Sequence, residues 1–331
     1  MKYDYITIES MTTTKTDDIE ATTEQIKSLE ALGCDIIRVA VPNPESANAI
    51  AKIKENIKIP LVADIHFNHK LALRAIETGA DKIRINPGNI GGESNVKAVA
   101  DACKQKNIPI RIGVNSGSLE KKLLEKYGGV TPDAMVESAM SHVALLNKYD
   151  FNDIWLSAKS SNVALTVATY RKLKQQTDYP FHIGVTEAGT EYNGIIKSAI
   201  GIGALLLDGI GDTLRVSLTA APEREIIAGK AILKALGLRE GTDIISCPTC
   251  GRCNIDIIGI TNEVEQRLTD DYKNLTIAIM GCEVNGPGEA AHADYGIAGA
   301  GNEAIIFAKG KKLGKYPINE IVNRLLEEAY T

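Results

Sequence analysis

The stretch "KIRINPGNIGGESNVKAVADACKQKNIPIRIGVN", residues 82–115, decides the fold. It opens and closes on short β-type runs, "KIRINP" (82–87) and "PIRIGVN" (109–115), with a helix pattern, "GGESNVKAVADACKQKN" (91–107), between them. Side chains alternate across a strand, so Ile83 and Ile85 share one face while Arg84 and Asn86 share the other. In the second run Ile110, Ile112 and Val114 oppose Arg111, Gly113 and Asn115. Two such runs joined by a helix make one β-α-β unit.

Outward from this unit the pattern recurs. The runs "YITIESM" (5–11), "IIRVAV" (36–41), "PLVADIH" (60–66), "DIWLSAKS" (153–160), "FHIGVTE" (181–187) and "TLRVSLT" (213–219) bring the set to eight. Helix patterns such as "PESANAIAKIKENI", "PDAMVESAMSHVALLNK" and "PEREIIAGKAILKALG" lie between or after them, and Gly237 marks the last stop. Eight β-then-α units in about 235 residues predict a closed, TIM-type (β/α)8 barrel over residues 1–237. A doubly wound open sheet is the alternative, but it seldom repeats so evenly.

In a barrel the apolar faces meet the helices and the polar faces point inward. Strand 3 then turns Val62, Asp64 and His66 inward, strand 8 turns Arg215, Ser217 and Thr219, and Lys159 lies with Ser157. Arg38 sits between Ile37 and Val39. Five cations (Arg38, Arg84, Arg111, Lys159, Arg215) converge against two evident acids, Asp64 and Glu187. Left unpaired in a low-dielectric interior, they would be very costly. Internal ion pairs are one answer. The favoured answer is a multiply anionic ligand, most simply a diphosphate gripped by arginine forks and a lysine point charge. Sites of this kind lie at the strand C-termini.

The balance of 37 basic against 42 acidic residues argues against nucleic acid or an anionic membrane as a bulk partner. No apolar run approaches the ~20 residues of a membrane span, and "MKYDYITIES" lacks a signal-peptide core. A cytoplasmic protein is expected, in which clustered cysteines bind metals more often than they form disulfides. Cys34 and Cys103 stand alone and read as small core residues.

From about residue 242 the pattern changes to a second, small α/β domain over 242–331. "SCPTCGRC" (246–253) carries Cys247, Cys250 and Cys253, and "GCEVNGPGEA" (281–290) carries Cys282. Structural zinc sites use four ligands, usually from paired C-x2-C knuckles, and Cys282 has no such neighbour. Iron–sulfur clusters tolerate one short motif plus one distant loop, so a cluster is favoured over zinc. The Gly-rich stretches "GIGALL" (201–206) and "GAGNEA" (299–304) lack the third glycine and the strand–turn–helix context of a dinucleotide site. Electrons are therefore expected from a separate carrier protein.

The segments "SMTTTKT", "RVAVP", "ADIHF", "IRINPGNIG", "RIGVNSGSL", "GVTEAG", "DTLRVSLT", "SCPTCGR" and "GCEVNGPGEA" follow one another in a known order. Over nearly the whole chain they resemble the bacterial two-domain 4-hydroxy-3-methylbut-2-enyl diphosphate synthase family of the non-mevalonate isoprenoid route. The resemblance implies a barrel plus an iron–sulfur domain. It also implies reductive opening of 2-C-methyl-D-erythritol 2,4-cyclodiphosphate, with two electrons entering and water leaving. The family's diphosphate cradle falls on Arg38, Arg84, Arg111, Lys159 and Ser217. Its remaining substrate contacts fall on Asp64, His66, Asn86, Asn115, Thr186, Arg215 and, from the second domain, Asn285. Glu187 matches its acid near the departing hydroxyl. Its 4Fe–4S ligands fall on Cys247, Cys250, Cys282 and the Glu289 carboxylate, whose hard oxygen can give way to substrate. Cys253 departs from the pattern and reads as a bystander. The start close to the first strand departs too, and suggests a shortened N-terminus.

Ferredoxin or flavodoxin is the implied electron donor, and a head-to-tail homodimer the implied assembly. Chain direction leads to the same assembly. The helix after strand 8 returns to the barrel end opposite the cations. The connector "LREGTD" reaches only about 20 Å, short of the about 24 Å length of that helix. Each second domain is therefore expected to cap the partner's barrel. Two readings of other classes compete: a zinc-containing, phosphate-binding barrel lyase without redox chemistry, and a pterin-binding barrel transferase. The latter has no use for the cysteines.

Overall fold

The computed structural model describes residues 4–268, 274–284, 288 and 292–330, which divide into two compact units, Met1–Leu236 and Gly237–Thr331. In the first, eight parallel strands alternate with helices. The strands are β1 Thr7–Met11, β2 Ile36–Ala40, β3 Leu61–Asp64, β4 Lys82–Ile85, β5 Ile110–Asn115, β6 Ile154–Lys159, β7 His182–Ile183 and β8 Thr213–Leu214. Their order in the sheet is β6-β5-β4-β3-β2-β1-β8-β7, and a parallel bridge from Leu156 to Phe181 joins β6 to β7 and closes the barrel.

Around the sheet run α1 Ile19–Ala31, α2 Pro44–Lys54, α3 His69–Glu77, α4 Glu93–Lys106, α5 Lys121–Tyr127, α6 Pro132–Asn147, α7 Val163–Lys174, α8 Glu191–Leu207 and α9 Pro222–Ala235. Their starts are chemically marked. Asn43, Thr131 and Asn162 each accept the backbone N–H of the residue three positions on, and proline opens α2, α6 and α9. The short α5 is an addition to the sequence reading, because the β5–α6 connection is long enough to hold a turn of its own. The apolar strand faces meet the helices as expected, with Ile83, Ile85, Ile110 and Ile112 fully buried.

Two runs are shorter than their patterns suggested. "FHIGVTE" and "TLRVSLT" each contribute only two strand residues, because Gly184 leaves the ladder at φ 151°. A side chain there would begin 2.3 Å from the Arg215 carbonyl oxygen, so only glycine allows β7 and β8 to approach this closely.

The second unit is a five-stranded mixed sheet in the order β13-β12-β11-β10-β9. Strands β9 Asp243–Ser246, β10 Thr276–Met280 and β11 Tyr295–Ala300 are parallel. β12 Glu303–Ala308 and β13 Lys311–Pro317 follow as antiparallel hairpin partners. Helices α10 Ile257–Arg267 and α11 Ile321–Tyr330 pack on it through Ile260, Val264, Ile321 and Leu325 against Ile277 and Ile279. Strands β11 and β13 were not singled out in the sequence. Among the described residues no helix is long and apolar enough to cross a membrane.

Candidate active site and cysteine loops

Register decides which residues share the barrel interior. Ala40 pairs with Asp64, Asp64 with Arg84, Arg84 with Arg111, and Asn115 with Lys159. Lateral partners in parallel strands face the same side, so the cations of β2, β4, β5 and β6 point inward together. Arg111 is the deepest, 1% exposed. Its Nη1 donates at 2.8 Å to each carboxylate oxygen of Glu9 and lies 2.8 Å from His182 Nδ1. Arg38 Nε lies 3.6 Å from the same carboxylate, and its Nη1 lies 3.8 Å from Asp64. Arg84 donates to Asp64 at 3.0 Å. The Arg84 guanidinium lies across Gly113, where a Cβ would come within 2.5 Å of Nε; the glycine makes room for the charge. Arg215 Nε lies 3.3 Å from Glu225, whose other oxygen accepts the Leu218 N–H at 3.0 Å.

Lys159 differs from these. It is buried, and among the described residues it takes part in none of the ion pairs that fix its neighbours. Burial, with Arg111 and Arg38 beside it, pushes its pKa well below the usual lysine range. Burial also lowers Arg111 to about 10, against the pull of Glu9, which leaves it charged at neutral pH. For Glu9 and Asp64, burial works to raise the pKa but the surrounding guanidiniums win, and both remain ionised below the ordinary carboxylate range. His182 is driven well below its ordinary value by burial and by Arg111 and Lys159, so it is neutral.

Four interior groups escaped the sequence reading: Glu9, Lys82, His182 and Glu225. Glu9, Lys82 and His182 carried a signal, since period two places each on the polar face of its run. Lys82 is buried with its Nζ 3.6 Å from the Trp155 ring centroid, a cation–π contact. Glu225 stands in the first turn of α9, where no strand pattern points to it. Among the described residues five cations (Arg38, Arg84, Arg111, Lys159, Arg215) therefore face three buried carboxylates (Glu9, Asp64, Glu225), a surplus of positive charge around Lys159. Among the described residues, Nε of both Arg38 and Arg111 is buried without a hydrogen-bond acceptor.

The remaining predicted residues lie near the strand C-termini. Asn86 is buried and accepts the Gly88 N–H at 3.1 Å, while Asn115, Thr186 and Ser217 are half-buried. His66 is 55% exposed, with Nε2 3.8 Å from Asp64. Glu187 is exposed and takes the left-handed conformation at φ 52°, a strain of about 1–3 kcal/mol for a non-glycine residue. Asn285 and Glu289 lie outside the described residues.

In the second unit, Ile279 pairs with Ser246. Cys247 therefore leaves β9 beside the point where Gly281 and Cys282 leave β10. The Gly281 N–H donates to Cys247 Sγ at 3.2 Å, the kind of amide–sulfur contact that tunes cluster ligands. Cys250 is exposed and Cys282 half-buried. Cys253 lies beside the same strand ends, its Sγ against Gly281, but its thiol donates to the Ile255 carbonyl at 3.3 Å and packs with the apolar core that Cys247 also touches. Among the described residues no three thiol, imidazole or carboxylate groups already stand in metal-binding geometry. The donor set nonetheless fits an iron–sulfur cluster, with four free thiols on two adjacent loops, of which Cys253 also donates to a nearby carbonyl.

Residues 3–230 match the family described as GcpE TIM-barrel domain, and residues 243–331 match the GcpE protein C-terminal domain. A protein of Ruminiclostridium cellulolyticum named 4-hydroxy-3-methylbut-2-en-1-yl diphosphate synthase (flavodoxin) is 56% identical over 324 residues, covering 98% of this chain and 92% of that protein. Proteins of the same name from Caldanaerobacter subterraneus and Clostridium perfringens are each 58% identical. They cover 98% and 97% of this chain, and 91% and 93% of their own lengths. Among solved structures, dihydropteroate synthase of Stenotrophomonas maltophilia superposes with a TM-score of 0.52 at 13% identity, covering 71% of this chain and 95% of that one. At that identity the likeness shows the barrel fold alone. The chain belongs to the GcpE family, whose curated relatives are 4-hydroxy-3-methylbut-2-en-1-yl diphosphate synthases.

Proposed function

We propose that the chain carries out its family's reaction with the inward cations as the diphosphate cradle. The reaction is the reductive ring opening and dehydroxylation of 2-C-methyl-D-erythritol 2,4-cyclodiphosphate to 4-hydroxy-3-methylbut-2-enyl diphosphate. The observation that carries the reading is the surplus of interior cations centred on Lys159, which has no counterion of its own among the described residues. Arg38, Arg84 and Arg111 reach the diphosphate from guanidiniums already held by Glu9 and Asp64. Lys159 adds a point charge, and Ser217 a hydroxyl. Asp64, His66, Asn86, Asn115, Thr186, Arg215 and Asn285 orient the carbon skeleton.

Glu187 delivers the proton that lets hydroxyl leave as water. Its strained backbone presents an exposed carboxyl on the loop after β7. Cys247, Cys250, Cys282 and the Glu289 carboxylate would hold a 4Fe–4S cluster, which would pass on, one at a time, the two electrons that the reaction takes from reduced flavodoxin, the donor named in the relatives.

The working form is a head-to-tail homodimer in which each C-terminal unit caps the partner's barrel. The outer faces of α8 and α9 support this. Tyr192, Ile196, Ile200 and Leu207 on α8 and Ile227 on α9 are all exposed, whereas α1 to α7 expose no large apolar side chain. Together they span on the order of 500 Å², the apolar centre of a permanent two-fold contact rather than of a transient carrier site.

The test is anaerobic reconstitution with iron and sulfide, followed by turnover with reduced flavodoxin. A brown, iron-loaded protein that converts the cyclic diphosphate is expected. A protein that takes up no iron and shows no turnover would overturn the reading.

A further inference from the structure

Glu9 stands at the centre of the interior charges, yet it belongs to no motif that identified the site. It is 1% exposed on β1, and among the described residues it is the carboxylate paired with Arg111, across a separation of 102 residues. The same carboxylate lies 3.6 Å from Arg38 Nε and 3.4 Å from His182 Nδ1. Two guanidiniums of the cradle thus share one internal anion. That anion does two physical things. It fixes the direction of the Arg111 and Arg38 forks before any ligand arrives, which lowers the ordering cost of binding. It also competes with the ligand, because every negative charge on the protein near these cations weakens their hold on a phosphate.

We propose that Glu9 is a positioning residue, one that acts on the substrate through Arg111 and Arg38 and tempers the charge they offer. The inference rests on the diphosphate reading of the cradle. Tempering matters because the product is itself a diphosphate and has to leave the same cations. An untempered cradle would hold product as tightly as substrate, and uniform binding of that kind does not raise turnover.

Glu9→Gln keeps the shape and removes the charge. In the cluster-loaded enzyme it should tighten binding of inorganic pyrophosphate about tenfold. KM should fall with it, and kcat should drop by about the same factor as product release slows. Glu9→Asp keeps the charge but withdraws it by one methylene. It should weaken pyrophosphate binding and raise KM, because the forks lose their alignment while the competing charge stays. A purely structural role predicts something else: a lower melting temperature in both variants, with KM, kcat per folded enzyme and pyrophosphate affinity unchanged. That result overturns the proposal, and the Asp variant delivers it even if the Gln variant does not fold. If the wild-type enzyme turns over the cyclic substrate but ignores pyrophosphate and gains nothing from Arg111 or Lys159, the cradle reading fails first and Glu9 falls with it.

Discussion

In the barrel interior Arg84, Arg111 and Arg215 each meet a carboxylate supplied by a different element, at 3.0, 2.8 and 3.3 Å. At the end of β9 and β10 the thiols have far less holding them: Cys250 is exposed, and Cys247 accepts one backbone N–H. The difference follows from what each region must bind. A cationic cradle cannot be buried without internal counterions, so its geometry is paid for during folding. Thiols carry no such penalty when protonated, and their final arrangement can wait for metal. The barrel is therefore preorganised, and the cysteine loops have few contacts of their own among the described residues.

The strongest way to break this comparison is at the cysteines. Cys282→Ser should abolish both iron content and turnover while leaving the barrel folded, as judged by metal analysis and circular dichroism. Cys253→Ser should leave both intact, since its thiol is spent on the Ile255 carbonyl. Should Cys253→Ser lose iron while Glu289→Ala retains it, the cluster has four cysteine ligands and the open-iron mechanism has to be replaced.

Next in size are the cations. Arg111→Ala and Lys159→Met should each weaken substrate binding by about 30-fold to several-thousand-fold, the range for losing a buried charge partner. Their stabilities should move apart. Removing Arg111 strands Glu9 and costs about 3–5 kcal/mol, whereas removing the uncompensated Lys159 raises the melting temperature. Equal melting temperatures in calorimetry would show that the two cations are equally compensated.

Assembly gives a smaller, graded signal. Ile200→Glu on the outer face of α8 should yield monomers in sedimentation and lose most turnover. Mixing Arg111→Ala with Cys282→Ser subunits should restore about a quarter of wild-type activity, because half the randomly exchanged dimers carry one intact composite site. No recovery after verified exchange would mean that each chain uses its own cluster.

The smallest effects are in pH. The Lys159 pKa is depressed in the free site, and a bound anion raises it again, so binding takes up a proton. Pyrophosphate affinity should weaken as pH rises above the free-site value, and calorimetry in two buffers should register the proton. Stability runs the other way. Burial holds the His182 pKa well below the ordinary histidine value of 6.5, so the native state binds fewer protons than the unfolded chain and stability falls as pH drops below 6.5. Glu9 and Asp64 extend that loss below 4.5 and 3.8.

The alternation in residues 82–115 already determined that Arg84 and Arg111 face the same way, because a strand has a period of two whatever surrounds it. Eightfold repetition determined the barrel, and the cysteine spacing marked the end of the chain where a second, separate domain begins. The shortened β7 and β8 were not legible, since they depend on Gly184 meeting a carbonyl on another strand. Nor was it legible which cations are neutralised. Glu9 could be assigned to the polar face, but its pairing with Arg111 rather than with Lys159 spans 102 residues and arises only once β1 and β5 face each other across the closed barrel. Local periodicity fixes direction along one strand. Distance between charges, and hence which of them remains free to bind, is a property of the closed barrel alone.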